Sequence, residues 1–139
     1  MRIDYFCFIF AALCGIAGMC LGIWMGVSGD HSLAPTHAHL NVIGWVTMTL
    51  FGLYHRGLRR QTTLLDKVQV GCGAIGVPAF TGGLAIYLTT TSDTVEAVVF
   101  PISLADTLLC LGSMVLFLAI LIRDARQPAV SAHRAGALQ

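Results

Sequence analysis

Charge is scarce in this sequence. Of its 139 residues only 11% are charged and 56% are hydrophobic, and the mean hydropathy is +0.79. A soluble protein of this size cannot cover its surface with so few charges, so the composition predicts an integral membrane protein in contact with membrane lipid. The net charge of +1, without any basic stripe, gives no indication of nucleic-acid binding.

Familiar catalytic and metal motifs are also missing. The sequence has no Walker loop, no nucleophile elbow, no zinc-finger spacing and no CxxC pair. Its five cysteines lie within predicted helices, where we interpret them as small apolar packing residues. These absences exclude the common hydrolase, nucleotide-binding and zinc-finger classes.

Four apolar segments are long enough to cross a bilayer, at residues 5–27, 35–54, 68–88 and 98–122. Each has roughly 20 residues, which matches a hydrocarbon core of roughly 30 Å. The first segment is too long for the apolar core of a signal peptide, so we interpret it as a retained helix. The prediction is an all-α, integral membrane four-helix bundle at residues 1–122, followed by a short polar tail at 123–139.

Basic residues are missing from one side of this predicted bundle. The connections on that side carry Asp30, Asp93 and Glu96 and no lysine or arginine. The other side carries all eight basic residues: Arg2, Arg56, Arg59, Arg60, Lys67, Arg123, Arg126 and Arg134. By the positive-inside rule, both termini are predicted to be cytoplasmic.

The first predicted helix carries Cys14, Gly18, Gly22 and Gly26 at four-residue intervals. Such a ridge of small residues lets another helix approach closely, and the third predicted helix is also rich in glycine. The pattern indicates either ordinary tight packing or grooves that admit a flat cofactor or a second subunit.

Two histidines stand one residue apart near the start of the second predicted helix, in the stretch THAHLNVIGW. An imidazole in hydrocarbon loses its water and needs another partner, so this depth indicates a functional site. In a regular helix, His37 and His39 point roughly 200° apart, which favours two different sites. His39 is a cofactor ligand or a neutral ring bonded to a neighbouring carbonyl or hydroxyl. His37, whose stripe includes Asn41, is a second ligand, a partner of a cofactor carboxylate or an interfacial side chain.

Other polar or sulfur-containing side chains are predicted near the same level. Asp30 and His31 form a candidate pair for a divalent metal or a solvated loop pair. Asp106 in the fourth helix either reaches water near the outer interface or orients a ligating histidine through a hydrogen bond. Met25 is a candidate axial thioether or a packing residue. His55 is interpreted as an interfacial anchor.

The run THAHLNVIGWVTMTLFGLYHR, with His-x-His followed by Gly-Trp and a terminal aromatic, resembles one helix of a known family. It is similar to the tenth transmembrane helix of the haem-copper oxidase catalytic subunit, most closely in the C-type oxidases and nitric oxide reductases. The whole chain resembles small four-helix bacterial proteins that are oxidase subunit I-like. The resemblance implies that His37 and His39 ligate haem iron, that Trp45 lines the cofactor and that the protein lies in a bacterial inner membrane.

The chain departs from this family in its other helices. The copper site of the family needs three further histidines and a linked tyrosine, but the first, third and fourth predicted helices contain no histidine. A complete oxygen reductase is therefore not expected from this chain alone. The second axial ligand of a bis-histidine haem is also missing, which predicts a homo-oligomer, with a dimer favoured, that shares ligands between subunits.

The first functional hypothesis is a membrane protein that binds haem b and works in electron transfer or gas sensing. The haem would be non-covalent, because the sequence has no CxxCH motif. An alternative is a copper- or zinc-binding membrane protein that uses His31, His37, His39 and Met25. A further alternative is a structural or assembly partner of a respiratory complex.

Overall fold

The computed structural model describes residues 2–58 and 61–126. Three uninterrupted α-helices are present, which are α1 at Ile3–Ser28, α3 at Leu64–Thr89 and α4 at Asp93–Ala125. Between α1 and α3, the segments Ala34–His39, Leu40–Thr47 and Met48–Gly57 follow one another without a break, and together they form α2. The predicted roles of Arg59, Arg60 and the tail beyond residue 126 lie outside the described residues.

The predicted all-α class is confirmed, and the described residues contain no strand. By length and composition, α1, α3 and residues 97–125 of α4 could each cross a membrane. The fourth helix extends beyond the predicted residues 98–122 at both ends. Its C-terminal extension includes Arg123 and Asp124, which the sequence analysis placed in the tail. Both side chains are bonded to other helices, Arg123 to Asp66 and Asp124 to Tyr54.

The chain folds as two helical hairpins, α1 against α2 and α3 against α4. In the second hairpin, small residues bring the backbones together, since a Cβ atom at Gly76 would lie 2.9 Å from the Cys110 sulfur. A cluster of Cys7, Ala11, Met48, Phe51 and Val70 joins α1, α2 and α3. Rings of Phe51 and Phe117, 4.6 Å apart between centroids, connect α2 to α4.

The middle of α2 is π-helical from Leu40 to Thr47. A π-helix bonds each amide to the carbonyl five residues earlier, so it inserts extra backbone into the helix and rotates the turns after it. Thr47 reinforces this segment by donating its hydroxyl hydrogen to the Val42 carbonyl at 2.9 Å. The segment begins directly after His39, and π-helical turns often occur beside functional sites.

Five of the described basic side chains mark one end of the bundle, which we call the basic end: Arg2, Arg56, Lys67, Arg123 and Arg126. The Arg56 guanidinium lies 6.0 Å from the ring centroids of both Tyr5 and Phe8, and the Arg123 guanidinium lies 3.4 Å from Asp66. The opposite end holds the connection at residues 29–33 and the first turn of α2. The two histidines of the motif therefore lie at the end away from these cations.

Candidate functional site

One side of α2 inserts its polar and aromatic side chains into notches on α1. Added Cβ atoms at Gly15, Gly18 and Gly22 would meet the side chains of Trp45, Asn41 and His37 at 3.2, 2.6 and 2.9 Å. A larger residue at Gly18 would thus displace Asn41. The predicted ridge is only partly correct, because Gly15 belongs to it and Gly26 has no neighbour within 4 Å. Packing between α1 and α2 accounts for these three α2 side chains.

His37 is fixed by this packing and by hydrogen bonds to α1 and to Asn41. Its Nδ1 atom lies 2.8 Å from the Gly18 carbonyl oxygen on α1. A carbonyl oxygen only accepts, so Nδ1 carries the hydrogen, and in the neutral ring Nε2 keeps its lone pair. The Asn41 amide nitrogen donates to the His37 main-chain carbonyl at 2.9 Å and lies 3.5 Å from Nε2.

His39 faces a different helix, as the spacing of the two histidines predicts. Its ring meets Phe80 of α3 edge to face, with the centroids 5.2 Å apart. Its Nδ1 atom lies 2.7 Å from the Pro35 carbonyl oxygen, so Nδ1 donates and Nε2 keeps its lone pair. No hydrogen bond to Nε2 occurs within residues 2–58 and 61–126. A shallow concavity of about 160 Å³, lined by Ala38, His39 and Val42, lies at this ring.

Asp106 is buried, with 9% of its surface exposed, and it lies at nearly the same level as His39. In the antiparallel pair of α3 and α4, added Cβ atoms at Gly76 and Gly83 would meet Cys110 and Ser103. Asp106 lies between these two positions of α4, so it is opposite the part of α3 near Phe80. In the described part of the chain, no hydrogen bond joins Asp106 to either histidine. The group that orients His39 is the Pro35 carbonyl.

The remaining predicted ligands are separate from His39. Met25 is buried in α1, with 6% exposure. The Asp30 carboxylate accepts a hydrogen bond from the Ser32 amide at 2.9 Å, and the bonds from Ser32 hold the pKa of Asp30 below its usual range. His31 bonds the Gly29 carbonyl at 3.0 Å. Among the described residues, no three His, Cys, Asp or Glu side chains come together as a metal site.

Sequence reasoning missed a buried polar network at the basic end. His55 is 8% exposed, and its Nε2 donates to the Gln69 side-chain oxygen at 3.1 Å. The Gln69 amide donates to Ser113 at 3.3 Å, and the Ser113 hydroxyl donates to the Gln69 carbonyl at 2.8 Å. His55 is therefore not an interfacial anchor, because Gln69 lets it be buried between helices. The only signal in the sequence was Gln69, the single strong polar group within an apolar helix.

A second group at the same end stabilises the start of α3. The Asp66 carboxylate accepts from the Thr63 amide at 2.7 Å and the Thr63 side chain accepts from the Asp66 amide, which forms a capping box. The Thr63 hydroxyl also donates to this carboxylate at 2.9 Å. The Arg123 guanidinium of α4 reaches Thr63 at 3.3 Å and Asp66 at 3.4 Å. The Thr63-x-x-Asp66 pattern was readable in the sequence, whereas its partner from α4 was not.

Comparison with protein-family models, with curated proteins and with solved structures finds no match to this chain.

The site has one side chain that is suited to a metal-bearing cofactor and not otherwise used. The Nδ1 hydrogen of His39 is bonded to a carbonyl, and its Nε2 lone pair has no hydrogen-bond partner among the described residues. Histidines that ligate a metal commonly have one ring nitrogen bonded in this way. The walls beside it are apolar, as a haem ring requires. The concavity of about 160 Å³ is smaller than the roughly 300–1,000 Å³ of typical ligand sites. A haem site at this position would therefore need walls from outside a single copy of the chain.

Proposed function

We propose that this chain is a multi-pass membrane protein, with both termini cytoplasmic, that binds haem b through His39. The observation that carries the proposal is the arrangement of the His39 ring, with Nδ1 held by Pro35 and Nε2 beside an apolar concavity. Three helices of suitable length and hydropathy support the membrane location. The cluster of basic side chains at the end away from His39 supports the orientation.

We infer that two copies of the chain complete the site. From His39 toward the basic end, the outer face of α2 carries four apolar side chains: Val42, Val46, Leu50 and Leu53. Each is between 46% and 59% exposed. A second copy packed on this face would enlarge the concavity, and its own His39 would then help to hold the haem. His37 has a different role in this proposal, because its packing against Gly18 and Gly22 positions α2 on α1.

The haem iron, when bound, would supply a reversible one-electron change or a binding position for a diatomic gas. The residues of the chain then have three tasks. His39 provides the ligand atom, and Pro35 fixes its tautomer and ring orientation. Phe80 and Val42 keep the surroundings apolar, which limits access of water. The sequence lacks the histidines that the copper site of an oxidase needs, so the proposal does not include oxygen reduction.

The test is a visible spectrum of the protein recovered from membranes with detergent. We expect a Soret band in the unaltered protein and its loss in His39→Ala, because the ligand atom is removed. His31→Ala is the matched control, since His31 also bonds a carbonyl through Nδ1 but lies in the exposed connection. A protein that stays colourless when haem is added, or a His39→Ala variant that keeps the band, would contradict the proposal.

A further inference from the structure

A groove at the basic end lies between the first turns of α1 and α3. Its volume is about 410 Å³, which falls within the range of roughly 300–1,000 Å³ for ligand sites. Its walls are mostly apolar and include Ile3, Phe6, Val70 and Gly71, while Arg2 and Lys67 also line it. The groove lies at the end of the molecule away from His39 and has no part in the proposed haem site.

The charges around the groove are predominantly positive. Arg2 donates from Nε and Nη2 to the two carboxylate oxygens of Asp4, at 3.2 and 3.0 Å, so its other terminal nitrogen is not used by this pair. Lys67 is exposed and makes no side-chain hydrogen bond or ion pair within the described residues. Asp4 is 2% exposed and neutralised by Arg2, which leaves Lys67 as an uncompensated charge.

We propose that this groove binds one acidic phospholipid, with the headgroup phosphate between Arg2 and Lys67 and an acyl chain along Ile3, Phe6 and Val70. Charge complementarity selects an anion, and the apolar walls select one that carries hydrocarbon. A free phosphate would leave those walls exposed to water, and a zwitterionic lipid has no net charge to offset Lys67. The inference depends on the proposed membrane location but not on haem binding.

The first test compares lipid retention between two charge-removing variants. The protein is placed in nanodiscs of equal parts phosphatidylglycerol and phosphatidylcholine, and the lipids that remain bound are counted by native mass spectrometry. We expect Lys67→Gln to retain about fivefold less phosphatidylglycerol, which corresponds to roughly 1 kcal/mol for one interfacial cation. Arg126→Gln, which removes the same charge from the same end but outside the groove, should change retention little.

The second test fills the groove while it leaves every charge in place. A Cβ atom at Gly71 meets no atom within 4 Å, so Gly71→Phe can place its ring in the groove. We expect this variant to lose the bound acidic lipid. Gly82→Phe is the control, because Gly82 is on the same helix, is also open and does not line the groove.

Equal retention in Lys67→Gln and Arg126→Gln, or unchanged retention in Gly71→Phe, would overturn the lipid site. Equal retention of the two lipid types by the unaltered protein would also overturn it. The visible spectrum of the same samples separates this proposal from the haem proposal. Lys67→Gln should keep the Soret band, and His39→Ala should keep the lipid.

Discussion

In the described part of the chain, buried polar side chains at the basic end are hydrogen-bonded to one another across helices, whereas two buried hydroxyls at the opposite end are not. His55, Gln69 and Ser113 connect α2, α3 and α4 through hydrogen bonds of 2.8 to 3.3 Å. At the opposite end, His37 and His39 each bond a carbonyl through Nδ1, and the buried hydroxyls of Thr36 and Ser103 have no partner among the described residues.

This difference separates a stabilising role from a binding role. A satisfied buried network contributes to stability and specifies how helices meet, while an unsatisfied buried group costs stability. An unsatisfied buried polar group is most readily tolerated where the group also has a functional role. The buried network at the basic end is therefore understood to fix the helices of the bundle, whereas the side chains at the opposite end, with His39, are available to the proposed cofactor.

The largest effect on stability is expected from Asp66→Ala at the basic end. The variant removes the acceptor of both Thr63 bonds and the carboxylate that Arg123 contacts on α3. We expect a loss of about 3 kcal/mol in the free energy of unfolding, because hydrogen bonds to a charged group contribute about 1.5 to 3 kcal/mol each. The measurement is reversible unfolding in mixed micelles. Asp30→Ala, an exposed carboxylate of the opposite end, is the control, and an equal shift in both variants would remove the contrast between the ends.

A smaller loss is expected from Gly18→Ala, which tests the packing of α1 on α2. The new methyl group would lie 2.6 Å from the Asn41 side chain, which bonds the His37 carbonyl and so cannot move freely. We expect a destabilisation of about 2 kcal/mol, typical of an overpacked interface. Gly26→Ala should not destabilise, because nothing lies within 4 Å of that position. If both variants unfold alike, Gly18 is not a packing notch.

The smallest effects are expected from two matched threonine substitutions. Thr63→Val at the basic end removes the cap of α3 and should cost about 1 kcal/mol. Thr36→Val at the opposite end replaces a buried hydroxyl that has no partner among the described residues, so the unfolding free energy should stay unchanged or rise. A clear loss in Thr36→Val would mean that this hydroxyl has a partner after all.

Much of the fold could be predicted from the sequence because hydropathy and helical spacing depend on local composition. Four helices and the opposite azimuths of His37 and His39 follow from such patterns. The π-helical segment, where Asn41, Gly44 and Trp45 contact α1, was not predicted, since hydropathy and helical spacing do not distinguish it from an α-helix. Nor could the burial of His55, because its partner Gln69 is brought near only by the packing of α2 on α3.

The candidate site was predictable in its residue types but not in its grouping. The sequence suggested His37, His39, Asn41 and Trp45 as cofactor-binding residues, and the structure gives His37, Asn41 and Trp45 contacts with glycines of α1. It also suggested Asp106 as the orienting partner of a histidine, whereas the nearer Pro35 carbonyl takes that position. A backbone carbonyl four residues earlier has no signature in the sequence, so only the three-dimensional structure could identify it.

The most direct test of the central claim is chemical rescue of His39→Gly. If the Nε2 atom of His39 is the iron ligand, the variant should lack the Soret band, and added imidazole should restore the band by occupying the vacated space. His31→Gly, treated in the same way, should show the band with and without imidazole. A band in His39→Gly before imidazole is added, or none after it is added, would contradict the assignment of His39 as the ligand.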